Sequence, residues 1–176
     1  MSRPAWVTVV GVLGIILAGF GFLGAVQTMA MPTVLEFQEE IMSGVQKELQ
    51  EQGEASEEVL DMFAGMFDVP EWFNAWSMAA GVIGLLVSGF YLFASISLLQ
   101  MKRSAPKVFY SAAGICVIFA LIKSIVAVSA MSLMGAAIMF WSLLGMVVNI
   151  ILLIVAATSD KSAFIPVESR LGHPGQ

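Results

Sequence analysis

Four apolar runs, Ala5–Ala30, Trp72–Leu99, Val108–Met131 and Leu133–Thr158, dominate this chain, and together they contain one charged side chain, Lys123. A helix needs about 20 residues to cross the hydrocarbon of a bilayer, and each run exceeds that. Inside lipid no water is present to satisfy backbone N–H and C=O groups, so runs of this kind form helices that bond internally. Only 12% of the residues are charged, against about a quarter in soluble domains. The first run follows Arg3 and ends in Thr28-Met29-Ala30, loosely like a signal-peptide cleavage site. It is much longer than the roughly 7–15 apolar residues of a cleaved signal, so a retained signal anchor is expected.

Charge is distributed as unevenly as hydropathy. Eleven of the thirteen acidic residues fall between Glu36 and Glu71, where Lys47 is the single base, giving that segment a net charge of −10. Lys102, Arg103 and Lys107 sit between the second and third runs, Arg3 at the N-terminus, and Lys161 and Arg170 in the tail. With four spans all six lie on one side. The positive-inside rule makes that side cytoplasmic and puts the acidic segment outside. The segment has no cysteine, which favours a bacterial inner membrane over a disulfide-rich cell surface. The lone Cys116 lies mid-span, forms no intramolecular disulfide and does not report the redox compartment.

The fold expected is all-α: a polytopic membrane protein of four transmembrane helices, with an extracytoplasmic acidic helical hairpin between the first and second. Its divisions are residues 1–31 (first span and short N-terminus), 32–71 (acidic insertion), 72–100 (second span), 101–107 (basic loop), 108–131 (third span), 132–158 (fourth span) and 159–176 (tail). Pro32 is expected to close the first helix, because proline lacks a backbone donor. Asp68-Val69-Pro70-Glu71 resembles a capping box opening the second, and Ser104 with Pro106 opens the third. Trp72, Trp76 and Trp141 are expected in one interfacial belt and Trp6, Phe109 and Tyr110 in the other. His173 falls in a Gly- and Pro-containing tail that reads as disordered.

Within the insertion, Phe37, Ile41, Val45 and Leu49 recur every fourth residue. Val59, Met62, Phe63, Met66 and Phe67 form a second stripe, and Gly53 separates the two. Two amphipathic helices follow from this periodicity. Their apolar stripes either pack internally or dock a partner protein. In the docking reading Phe63, Met66 and Phe67, or Phe37 and Ile41, are the anchors and carboxylates such as Glu57 and Glu58 form the rim. The acids also cluster on helix faces, but no Gly-bearing calcium loop is present. An anionic bilayer surface would repel this segment.

Inside the spans, Lys123 and Asn149 are the polar residues singled out. An intramembrane ionisable residue is a functional candidate, whereas a lysine near the end of its span can also snorkel to the interface. Small residues form stripes on every span: Gly11, Gly14, Gly21 and Gly24; Ala80, Gly84 and Ser88; Ala112, Cys116, Ala120 and Ser124; Ser142, Gly145 and Asn149. Such faces let helix backbones approach closely, and a tight bundle is expected.

Catalytic patterns are missing. The single histidine supplies no triad, metal cluster or proton relay. The Gly19–Gly24 run has dinucleotide-loop spacing but lies within an apolar span. Met29 and Met31 are thioethers in a methionine-rich chain, where packing is their common use. In layout the chain is similar to claudin-type tetraspan proteins, but the outer segment lacks their paired cysteines and no family is assigned. The sequence therefore reads as a small non-enzymatic accessory or interaction subunit of a membrane assembly, with no cofactor. Its partners would be the lipid bilayer and a protein partner or homo-oligomer, and no nucleic acid. The alternative is a small transporter or channel-forming oligomer that uses Lys123 and Asn149.

Overall fold

The structure, a computed structural model, describes residues 4–52, 70–129, 133–161 and 164. Those residues form four helices and no strand: α1 (Ala5–Gln52), α2 (Trp72–Leu99), α3 (Ala105–Ser129) and α4 (Leu133–Thr158). Each contains a stretch long and apolar enough to cross a membrane. Successive helices pack side by side, α1 on α2, α2 on α3 and α3 on α4, and a smaller contact from α4 to α1 closes the bundle. The short connections at 100–104 and 130–132 make α2, α3 and α4 antiparallel neighbours in turn.

The α1–α2 seam is built from small side chains. Along α1 the inward positions are Val7, Gly11, Gly14, Ala18, Gly21, Ala25 and Thr28; along α2 they are Ser77, Gly81, Gly84, Ser88, Tyr91, Ser95 and Leu98. Both sets step alternately by four and three, a repeat of 3.5 residues that keeps two helices in contact over many turns. Lipid tails are as apolar as the side chains, so burial alone gives little gain and close backbone packing must hold the pair. The seam is correspondingly tight. A Cβ on Gly21 would come within 2.5 Å of Ser88 Oγ, and one on Gly81 would lie 3.0 Å from both the Ala25 carbonyl oxygen and the Met29 nitrogen. Gly24, from the expected first-span stripe, has nothing within 4 Å and lies outside the close contact.

The helix expected to end at Pro32 does not end there. α1 continues through Pro32 to Gln52, a rod of about 72 Å at 1.5 Å per residue. Interior proline costs a helix about 3 kcal/mol through the missing donor and the clash with the carbonyl four residues back. Tertiary packing on both sides offsets that cost. Met31 and Leu35 are buried against Phe73, with Trp76 packed on the same cluster. The first stripe of the insertion is thus a continuation of the first helix, and the second stripe lies outside the described residues.

The other helix boundaries follow local chemistry. α2 opens without a side-chain cap: Glu71 is helical, at φ −53° and ψ −37°, and Phe73 N–H donates to the Pro70 carbonyl at 2.8 Å. The expected cap Asp68 lies outside the described residues. At the C-terminus of α2, Met101 N–H donates to Leu98 O and Lys102 N–H to Ser97 O, the paired bonds of a Schellman motif. Met101 takes the left-handed position at φ 56°, where glycine is usual. Its side chain packs on the core, a contact glycine would lack. α3 opens at Ala105, with Pro106 buried in its first turn.

Candidate functional site

Two features have the chemistry for a site: the projecting end of α1, and the polar side chains within the spans. The register of the α1–α2 seam sets the length of the projection. Ala25 meets Gly84, Met29 meets Gly81, and Leu35 meets Phe73 at the start of α2. Among the described residues, α1 runs on for about 25 Å beyond Leu35, past the start of α2. Val34, just before that stretch, and Phe37, Ile41 and Val45 along it are 43%, 62%, 48% and 42% exposed. They follow one line, rotated about a quarter turn from the face that buries Met31 and Leu35. Glu36 and Glu40, both exposed, each precede an apolar member by one residue and so flank the stripe about 100° round the helix.

Phe37 and Ile41 are on one exposed face, whereas Phe63, Met66, Phe67, Glu57 and Glu58 lie outside the described residues.

The two intramembrane polar residues are held separately. Lys123 is half-buried on α3, its ammonium 5.9 Å from the Phe119 ring centroid, a cation–π geometry. No carboxylate pairs with it among the described residues. Asn149 on α4 turns its amide back onto its own helix, Nδ2 donating to the Gly145 carbonyl at 2.9 Å, and its Oδ1 is buried without a hydrogen-bond partner. α3 and α4 are antiparallel and joined at residues 130–132, so Lys123 is about 9 Å from the joined end and Asn149 about 24 Å. They occupy different depths, and no ring or chain of polar groups connects them among the described residues. Met29 lies against Gly81 and Met31 against Phe73, both as packing groups.

Sequence reasoning missed a tethered cluster at the opposite end of the bundle. Trp6 Nε1 donates to the Asp160 carbonyl at 3.2 Å, and its ring lies 5.9 Å from that of Phe164. Tyr110 Oη donates to the Ala156 carbonyl at 2.8 Å. The Lys161 ammonium donates to the Ala157 carbonyl at 2.7 Å and stands 5.9 Å from the Tyr110 ring centroid. Thus Tyr110 binds a carbonyl in the last turn of α4 and Trp6 one just past its end, and Phe164, 7% exposed, anchors the start of a tail that reads as disordered from composition. Phe109 is not a belt residue. It is fully buried, its ring 5.7 Å from that of Tyr91, because the inward face of α3 begins in its first turn. Tyr91 is also buried, with no hydrogen-bond partner for its hydroxyl, while Ser95 donates to the Tyr91 carbonyl at 2.8 Å. The 3.5-residue spacing on α2 was the available signal for these positions.

The chain matches no protein-family model, no curated protein and no solved structure.

Proposed function

We propose that the protein is a non-enzymatic accessory subunit of a membrane assembly, docking a partner protein through the part of α1 that stands beyond the bundle. The carrying observation is the exposed line Val34, Phe37, Ile41 and Val45 on a helix that has outrun its neighbour. Water-exposed apolar lines of this kind are used as helix-in-groove anchors at i, i+3 or i+4 and i+7. In this reading Phe63, Met66 and Phe67 extend the apolar surface, and Glu57 and Glu58 extend its acidic rim. By the positive-inside rule the surface is extracytoplasmic, both termini are cytoplasmic, and a bacterial inner membrane is the favoured setting. The unequal depths of Lys123 and Asn149 favour docking over conduction, because a polar path requires groups in succession.

The test is the size of the native assembly. Binding energy concentrates in a few anchors, so Phe37→Ala and Ile41→Ala should each weaken association by about 2 kcal/mol. On native gels of gently solubilised membranes each variant should shift from a larger complex toward the free chain, with unchanged stability of the purified protein. If the double variant stays in the larger complex, or the wild-type chain migrates alone, the accessory-subunit reading fails.

A further inference from the structure

Resting on that docking reading, we infer that the occupant of the projecting α1 face is a cationic amphipathic helix of a different protein. The argument is one of charge. From Leu35 to Gln52 the helix carries five glutamates against Lys47, and residues 53–71 add six further acids and no base. Among the described members, Glu36 and Glu40 are exposed and stacked one turn apart on the flank of the apolar line. Any partner that covers Phe37 and Ile41 therefore comes within a few ångströms of carboxylates of one sign, and like charge across an interface is costly.

Three competing occupants meet that cost directly. A second copy of this chain, inserted in the same membrane in the same direction, would bring its own acidic rod alongside. The second stripe of this chain, Val59 to Phe67, belongs to a segment carrying Glu57, Glu58 and Asp61, so folding it onto α1 places acid beside acid. An anionic bilayer surface repels the same groups. A helix with apolar residues at i, i+3 or i+4 and i+7, flanked by Lys or Arg, satisfies both features together. The stripe takes its apolar face, and Glu36 and Glu40 steer and pair its cations.

The experiment places photoreactive benzoylphenylalanine at position 37 or 41 of the full-length protein in its native membrane, with position 86 as the control, where Leu86 on α2 is 71% exposed, and maps the crosslinked peptides. Support requires two results together. The adducts must fall on another protein in a segment of net positive charge with helical apolar spacing. Their yield at position 41 must also drop about tenfold when Glu36→Lys and Glu40→Lys are combined, an effect of the size expected when steering and pairing are reversed. Adducts to a second copy, or to a neutral or acidic segment of another protein, overturn the cationic partner and leave docking in place. An unchanged yield after charge reversal does the same. Adducts confined to residues 53–71 of the same chain, or none above the position 86 control, overturn the docking reading itself.

Discussion

Gly81 is the position at which one added carbon tests the α1–α2 seam most directly. An ideal Cβ there runs into Met29 Cγ and stands 3.0 Å from two backbone atoms, Ala25 O and Met29 N. The methionine chain can swing aside at small cost, but the backbone atoms belong to the opposing helix and retreat only if the seam opens. Overpacking of this kind costs about 1–3 kcal/mol, while alanine in place of glycine returns up to about 1 kcal/mol of helix propensity. Gly81→Ala should therefore lose about 1 kcal/mol, and Gly81→Val, with two further methyls, about 2–3 kcal/mol. Gly24 is the internal control: with nothing within 4 Å, Gly24→Ala should be neutral or gain up to about 1 kcal/mol. The assay is unfolding of the purified protein from mild detergent by added SDS, followed by tryptophan fluorescence, since Trp76 packs at the outer end of the seam. A Gly81→Val protein as stable as wild type would refute close backbone packing as what holds α1 to α2. Equal losses at positions 24 and 81 would refute it as well.

Three other outcomes are expected. Met101→Val should destabilise by about 1–2 kcal/mol in the same SDS titration, because a branched Cβ is poorly tolerated at φ 56°, and Met101→Ala should lose less. Lys123→Met should leave expression and SDS resistance within about 1 kcal/mol of wild type, since its described contact is the Phe119 ring; a loss of about 3–5 kcal/mol would reveal a stranded carboxylate partner. In a Cys116→Ser background, Ser104→Cys should react with an impermeant thiol reagent only from the cytoplasmic side and Ser43→Cys only from outside. Reaction of Ser43→Cys from the cytoplasm would invert the orientation.

The four spans and the close-contact glycines Gly11, Gly14, Gly21 and Gly84 were legible in the sequence, because helices in lipid obey local rules of about 20 apolar residues, internal backbone bonding and small side chains where backbones meet. Gly24 and Gly145 of the expected stripes, by contrast, have nothing within 4 Å. The start of α4 at Leu133 and its end at Thr158 follow from hydropathy alone. The exposed line of Phe37, Ile41 and Val45 was likewise visible as a four-residue period. What continues a helix past a proline is different in kind. The cost at Pro32 is local, but Met31 and Leu35 are held by Phe73 and Trp76, some forty residues onward in sequence, and no pattern around Pro32 reports that contact. The burial of Phe109 beside Tyr91, the anchoring of Trp6 on the end of α4, and the unequal depths of Lys123 and Asn149 belong to the same class. Each depends on the register between helices joined through loops, and periodicity within one helix carries no information about its offset against another. The sequence by itself determined which segments are long and apolar enough to span a membrane; only the assembled bundle decided which small residues meet and how far α1 outruns α2, and so whether an apolar stripe is buried or exposed.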